Sequence, residues 1–236
     1  MALPKLNQSP QYELEVPSTK QKIHFRPYLV KEEKVLMLAL ESNNQNEQIN
    51  AVINTIQACV NEDLNINNLP TFDIDYIFTK IRTKSVGETT KLKYGCTHCD
   101  YKENEVEINL DTVVVDIPDV NNTIQITDDV SVIVDYPTYK TMMQIDEKIR
   151  DSGPGLIEMI ARSIKQINTE EEVILSKDCK PEELTEFVDS MTSDQFKKIA
   201  DYFQVMPQVK IDHEFVCSGC NQNNNIEIRG LENFFV

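Results

Sequence analysis

The stretch YGCTHCDYK, residues 94–102, carries two cysteines in Cys-x-x-Cys spacing, and the same spacing returns in VKIDHEFVCSGCNQNNNIEIRG, residues 209–230. In both places an alternating, strand-like run leads into the cysteines and another follows them. Two strand–turn–strand units that each offer two thiolates predict a zinc ribbon, in which four sulfurs surround Zn²⁺ tetrahedrally. The predicted ligands of this single structural zinc are Cys96, Cys99, Cys217 and Cys220.

The two cysteine pairs lie far apart in the chain. There are 117 residues between Cys99 and Cys217, whereas roughly 15–20 residues separate the pairs of a compact ribbon. We therefore expect an insertion between the two halves of the ribbon. Such an insertion is physically reasonable because the cost of closing a loop grows only logarithmically with its length. Gly219 is expected to relieve crowding in the second turn.

Other chemistries of the same four sulfurs stay open. Iron is one of them, because geometry alone does not separate it from zinc. A redox pair of the thioredoxin type is disfavoured, since it requires a Cys-x-x-Cys at the start of a helix and both pairs here lie between strands. Unmetallated thiols are the third alternative. Four thiolates would close the coordination shell, so a bound zinc is predicted to be structural and not catalytic.

The charge of the chain restricts the classes of partner. The 236 residues include 39 acidic and 23 basic ones, for a formal net charge of −16. Nucleic-acid binding without sequence specificity and docking on an anionic membrane both depend on Lys and Arg, so neither is expected. The chain contains no run of 18 apolar residues, and its opening MALPKLNQSPQYELEVP lacks the features of a signal peptide. We expect a reducing compartment, in which the six cysteines are thiols or metal ligands.

The predicted fold class is α+β. Residues 1–28 contain four prolines and are expected to form an extended N-terminal arm. Residues 29–86 are predicted to be a helical region. The remainder, 87–236, is predicted to be a β-rich domain with the ribbon knuckles at 91–110 and 209–230 and a helical insertion at 138–206.

Apolar periodicity predicts the individual elements. In the helical region it indicates one helix over 31–42 and two more with apolar stripes at 49–60 and 74–81, with Cys59 as a buried thiol. Alternation then favours strands at 106–114, 123–127 and 130–136, the last two joined by a turn at Asp128 and Asp129. Helices are predicted again at 155–167, at 181–191 and after Thr192, which has capping-box spacing to Gln195. A strand pattern resumes beyond Pro207.

No stretch carries the signature of a catalytic site. DSGPG, residues 151–155, lacks the Gly-Lys-Ser/Thr that completes a phosphate-binding loop. Asp73 and Asp75 are expected at the start of a helix, where negative charge is favourable. His98, inside the first knuckle, is expected to face outward, although it is a possible ligand. His213 is expected to be a core histidine, with a hydrogen bond to a thiolate as the alternative. We therefore predict no catalytic and no cofactor-binding residues.

Five stretches of the sequence carry a resemblance to a known family. They are FRPYLVKEEKVLMLALES, LPTFDIDYIFTKIRTKSVGE, CTHC, LTEFVDSMTSDQFKKIADYFQVMPQV and FVCSGCNQNNNIEIRGLENFF. Together they resemble the baseplate hub protein family of T4-type contractile-tailed bacteriophages, over residues 25–235. The resemblance implies a non-enzymatic component or assembly factor of the tail baseplate hub. It also implies contacts with other hub and tail proteins, assembly in the host cytoplasm and a place in the virion. The zinc prediction rests on the cysteine spacing of this sequence.

Two alternatives remain beside the hub component. One is an assembly chaperone that is absent from the mature virion. The other is a zinc-ribbon protein that binds nucleic acid, which would need a basic face although only Lys91, Lys93, Lys102 and Arg229 surround the knuckles. The apolar C-terminal side chains are expected to contact a partner or to cap the protein's own core. These are Leu231, Phe234, Phe235 and Val236.

Overall fold

The computed structural model describes residues 9–42, 44–150 and 152–229. It divides into two compact units. The first takes in the described residues of Met1–Leu64, Phe72–Asp116 and Gln208–Val236, and the second comprises Asn65–Thr71 and Ile117–Pro207. Helices and antiparallel strands are both present, which confirms the α+β class. The apolar C-terminal residues 231–236, expected to be contact elements, lie outside the described residues.

The first unit begins with a β-hairpin, where the sequence predicted an extended arm. Strands β1 (Tyr12–Glu15) and β2 (Lys22–Phe25) pair antiparallel. Their apolar side chains alternate, so that Leu14, Ile23 and Phe25 are buried together with Val16. Pro10 precedes this hairpin, Pro17 lies in its connecting turn and Pro27 follows it, so none of these prolines interrupts a strand. Residues 1–8 of the expected arm lie outside the described part of the chain.

Three helices follow, as predicted. They are α1 (Val30–Glu41), α2 (Gln45–Cys59) and α3 (Thr71–Val86). The apolar stripe of α3 is buried, whereas that of α2 is buried at Ile53 and Ile56 and half-buried elsewhere. Cys59 at the end of α2 is buried as expected. Desolvation raises the pKa of the Cys59 thiol to about 11, which makes it an unreactive core residue. Asp73 lies in the first turn of α3, but it is fully buried.

Two longer hairpins complete the first unit. One is formed by β3 (Thr89–Tyr94) and β4 (Asn104–Asn109), and the other by β10 (Val209–Val216) and β11 (Asn223–Arg229). The strand predicted over 106–114 ends at Asn109, and a single 3₁₀ turn leads to the short strand β5 (Val114–Val115). Because β5 pairs with β10, the chain leaves this unit and returns to it on neighbouring strands.

The second unit contains a four-stranded antiparallel sheet. Its strands are β6 (Thr123–Gln125), β7 (Ser131–Val134), β8 (Ile164–Asn168) and β9 (Val173–Leu175), in the order β6-β7-β8-β9. The helices of this unit are α4 (Tyr139–Met143), α5 (Gly153–Ser163), α6 (Pro181–Asp189) and α7 (Ser193–Gln204). The predicted β6–β7 hairpin and the Thr192–Gln195 capping box are both confirmed.

The helix predicted over 155–167 is wrong in its last turn. Helix α5 ends at Ser163, and the chain continues directly into β8. Ile164 and Ile167 pair with Val134 and Val132 of β7, so their side chains enter the core from a sheet. A spacing of three between two isoleucines suits a helix, and only the pairing with β7 selects the strand. Residues 138–206 thus hold two strands as well as helices.

The glycine-containing stretch before α5 has a structural explanation. Ser152 caps the helix through its side chain, which accepts a hydrogen bond from the Gly155 N–H, and Pro154 lies in the first turn. A Cβ on Gly155 would lie 2.1 Å from the carbonyl oxygen of Ile149, so this glycine permits a close backbone approach. Asp151 lies outside the described residues. None of the described helices is long and apolar enough to cross a membrane.

Candidate metal centre

The four cysteines of the two knuckles meet in the first unit. The Cys96 and Cys220 sulfurs are 3.6 Å apart, and those of Cys99 and Cys217 are 3.8 Å apart. All four Sγ atoms lie within 4.8 Å of one another. Each of the two short distances joins one hairpin to the other. The sequence prediction that the two pairs come together across the intervening segment is therefore realised in the fold.

The arrangement fits a tetrahedral metal ion. A Zn–S distance of about 2.3 Å places the sulfurs of a tetrahedral site roughly 3.8 Å apart, which agrees with the two short distances. Cys217 is buried and the other three cysteines are half-buried, so the cluster lies at the edge of a core. Four soft thiolate donors suit Zn²⁺ or iron, and the sulfur geometry alone does not choose between them.

Equivalent backbone hydrogen bonds occur in both knuckles. The N–H of Cys96 donates to the carbonyl of Tyr101 at 2.8 Å, and the N–H of Cys217 donates to the carbonyl of Gln222 at 2.9 Å. Inside the turns, the N–H of His98 donates to the sulfur of Cys96 at 3.2 Å. The N–H of Gly219 likewise donates to the sulfur of Cys217 at 3.3 Å. Such bonds favour the thiolate, which is the form that a metal requires.

The pKa values of the thiols reflect their crowding. Desolvation acts to raise the pKa of Cys96, but hydrogen bonds from the His98 N–H and from Asn224 outweigh it and bring the value to about 6. A backbone hydrogen bond involving Tyr101 acts to lower the pKa of Cys99, yet desolvation and the neighbouring thiols raise it to about 12. Four negative charges this close repel one another, and a divalent cation among them would offset that repulsion.

The histidines lie outside the sulfur cluster. His98 is exposed, and its Nε2 donates to the carbonyl oxygen of Asn223 at 3.1 Å, so its ring binds the other hairpin. His213 is half-buried on the inward side of β10, as its strand position predicted. Within the described part of the chain, no hydrogen bond joins His213 to a cysteine sulfur. The remaining cysteines are Cys59, in the helical core, and Cys179, in the second unit.

Sequence reasoning missed two buried asparagines beside the cluster. Asn104 of β4 and Asn224 of β11 are both 2% exposed. Asn104 lies opposite Tyr94 in its hairpin, and Asn224 lies opposite Phe215 in the other. Tyr94 and Phe215 each precede the first cysteine of their knuckle by two residues. The aromatic residues share one offset from the cysteines, but Asn104 follows Cys96 by eight residues and Asn224 follows Cys217 by seven. A comparison at fixed offsets would therefore have found the aromatic residues and not the asparagines.

Gly219 is explained by a contact between the hairpins. A Cβ on this residue would lie 2.9 Å from the Cβ of Tyr101, which belongs to the first hairpin. The missing side chain thus lets the second knuckle approach the first. This differs from the expectation that the glycine relieves crowding within its own turn.

Three of the four basic residues that surround the knuckles are paired with carboxylates. Lys91 lies 2.7 Å from a carboxylate oxygen of Glu105, and Lys93 forms an ion pair with Glu103. Arg229 is paired with Glu227, which lies on the same strand, β11. These cations are therefore balanced by adjacent carboxylates.

Comparisons with known proteins concern nearly the whole chain. A family model described as T4 bacteriophage base plate protein matches residues 9–236. The match spans both units and both cysteine pairs. Searches of curated proteins and of solved structures each returned no significant match.

Proposed function

The chain belongs to the T4 bacteriophage base plate protein family, and on this premise we propose that it is a non-enzymatic structural or assembly protein of the baseplate hub. The observation that carries the proposal is the family match over residues 9–236. Members of a baseplate family work in the tail of a phage particle, through contacts with other tail or baseplate proteins. The narrower statements, a place in the central hub and assembly in the host cytoplasm, are our inference from the resemblance of the sequence.

The same proposal includes one structural Zn²⁺ per chain, held by Cys96, Cys99, Cys217 and Cys220. The support is the sulfur geometry, in which distances of 3.6 and 3.8 Å join the two hairpins. When bound, the metal would supply a four-thiolate cross-link with no open coordination position. Through this cross-link, the four cysteines would fix the β3–β4 hairpin to the β10–β11 hairpin.

A role in protein–protein contact is supported by helix α1. Val30, Met37, Leu38 and Leu40 are 70, 56, 66 and 58% exposed, although all four lie in a single helix of twelve residues. A concentration of exposed apolar side chains marks an interaction surface more often than a free one. We propose that the occupant is another protein of the same baseplate, because the family works in such an assembly.

The nucleic-acid alternative has little support. A protein that binds phosphates needs Lys and Arg whose charge is available. Lys91, Lys93 and Arg229 instead lie beside carboxylates, and the net charge of the chain is −16.

The decisive experiment is mass spectrometry of purified mature phage tails, combined with elemental analysis of the isolated protein. Detection of the chain in tails at a fixed ratio to other baseplate proteins would support a hub component. Its absence from tails, together with a failure of baseplate assembly when the gene is inactivated, would support a transient assembly factor. Normal tails without the protein would contradict both. One zinc per isolated chain would support the cross-link, and no bound metal would refute it.

A further inference from the structure

The two knuckle hairpins are arranged as a pair of equivalent halves. Each has an aromatic residue two positions before its first cysteine, Tyr94 in one and Phe215 in the other. The two rings face each other with centroids 6.5 Å apart. Each hairpin also has a buried asparagine opposite its aromatic residue, Asn104 in the first and Asn224 in the second. The repeat includes the residue after the first cysteine, which carries a hydroxyl group in both knuckles.

Each asparagine bonds to the knuckle of the opposite hairpin. The Oδ1 of Asn104 accepts a hydrogen bond from the N–H of Ser218 at 2.8 Å. In the reciprocal contact, the Oδ1 of Asn224 accepts from both the N–H and the hydroxyl of Thr97, each at 2.9 Å. Thr97 and Ser218 follow Cys96 and Cys217 directly. The two contacts therefore hold the backbone from which the first sulfur of each pair projects.

The second polar group of each amide anchors it in its own hairpin. The Nδ2 of Asn104 donates to the Tyr94 carbonyl at 3.1 Å, and the Nδ2 of Asn224 donates to the Gln222 carbonyl at 3.0 Å. Both ends of each buried amide are thus satisfied. An apolar residue at either position would leave a knuckle N–H without its acceptor, which weakens the hold on the backbone that presents the sulfurs.

We infer that Asn104 and Asn224 are positioning residues of the metal centre, each of which orients the cysteine pair supplied by the other hairpin. The inference rests on the proposed zinc site and adds the residues that shape it. Groups that orient metal ligands through hydrogen bonds typically change metal affinity by about 10- to 100-fold when they are removed. Because the two contacts are reciprocal, both asparagines should contribute.

The test compares Asn104→Ala and Asn224→Ala with the full-length parent protein. Zinc affinity is measured by competition with a chelator, and cobalt(II) substitution reports the ligand geometry through its visible absorption. Asn109→Ala is the matched control, because Asn109 lies at the end of the same strand and its side chain accepts only a local N–H, that of Asp111 at 2.8 Å. Thr97→Val is a milder variant that removes one donor to Asn224 and keeps the backbone N–H.

The expected result is a loss of zinc affinity of about 10- to 100-fold in each alanine variant, with an altered cobalt spectrum. Asn109→Ala should bind zinc as tightly as the parent protein. The zinc affinity of Thr97→Val should lie between that of the parent and that of Asn224→Ala. Parent-like affinity and spectra in both alanine variants would overturn the inference and leave the zinc site intact. A parent protein that binds no metal would overturn both proposals. If the alanine variants do not fold, Thr97→Val decides, and a parent-like affinity and spectrum in it would count against the inference.

Discussion

Gly219 of the second knuckle lies directly against Tyr101 of the first hairpin. A Cβ added to Gly219 would lie only 2.9 Å from the Cβ of Tyr101. Gly219 lies between the cysteines of one pair and Tyr101 follows those of the other, so the contact sets how closely the two hairpins approach. Since the neighbouring atom belongs to the rigid start of a side chain, it has little freedom to move away.

We therefore expect Gly219→Ala to destabilise the first unit by about 1–3 kcal/mol, the usual cost of adding a methyl group to a packed contact. Chemical unfolding of the zinc-loaded protein measures the change. Gly95→Ala is the matched control in the first knuckle, because the nearest atom to its Cβ would be the Lys102 Cγ at 3.9 Å. Equal stability of the two variants would refute the proposed steric role of Gly219.

Removal of one sulfur should release the metal. Cys217→Ser takes away the only fully buried thiol of the four, and the loss of a ligand from a structural zinc site removes binding energy that also stabilises the fold. We expect zinc per chain to fall from one to nearly zero, with a lower melting temperature for the first unit. Elemental mass spectrometry and calorimetry measure the two effects.

Cys179→Ser is the control for this experiment. Cys179 is half-buried in the second unit, where its thiol contacts the carbonyl of Leu175 at 3.6 Å. This variant should keep its zinc. Retention of zinc by Cys217→Ser, or loss of zinc from both variants, would contradict the proposed ligand set.

Charges on helix α1 should disturb assembly without disturbing the fold. Met37→Glu and Leu38→Glu replace side chains that are 56 and 66% exposed, so the melting temperature of the isolated protein should change little. If another baseplate protein covers this helix, both variants should fail to support infectious particles. Leu156→Glu, at an exposed apolar position of α5, is the control. Normal yields from both α1 variants would exclude this helix as the contact surface.

Asp73 should make stability depend on pH. Its carboxylate is buried and accepts hydrogen bonds from the N–H and the hydroxyl of Ser18, the former at 3.0 Å. Desolvation raises the pKa of Asp73 above its usual value of 3.8 and outweighs these bonds. Because this pKa is higher in the folded than in the unfolded state, protonated Asp73 adds to the free energy of unfolding below about pH 4. That contribution is lost as the pH rises through the pKa of Asp73 in the folded protein.

The Asp73→Asn variant removes this titration. Its stability relative to the parent should therefore increase between about pH 4 and pH 7. Urea unfolding at several pH values measures the difference, and any release of metal in acid affects both proteins alike. Asp194→Asn, in the exposed first turn of α7, is the control. A relative stability of Asp73→Asn that does not change with pH would contradict the expected sign.

The middle of the chain should be removable if it is an insertion. Val115 pairs with Val209, and Val114 pairs with Lys210, so the two ends of the intervening segment are neighbours in one sheet. Joining Asp116 to Gln208 through Asn-Gly supplies a two-residue hairpin turn. The shortened protein should still bind one zinc, as measured by elemental analysis. Failure to bind zinc while the full-length protein does so would refute the independence of the ribbon.

Local patterns in the sequence were sufficient to predict several features of the structure. The stripe at 74–81 predicted α3, and the Thr192–Gln195 spacing predicted the start of α7, because a helix forms contacts within three or four residues. The repeated Cys-x-x-Cys spacing predicted which four of the six cysteines come together. These signals lie entirely within short segments.

Other features depended on partners that are distant in the chain. The isoleucines at 164 and 167 became a strand because β7 was available to pair with them, and the expected N-terminal arm became a hairpin because the rest of the first unit buries its apolar face. Asn104 and Asn224 gave no sequence signal by themselves, since an asparagine between strands usually indicates a turn. Their role follows from hydrogen bonds to Ser218 and Thr97, more than a hundred residues away along the chain. By itself the sequence determined most of the helices and the four clustered cysteines. The tertiary structure decided where α5 gives way to β8 and which backbone groups hold those cysteines in place, because such contacts arise only when distant segments pack together.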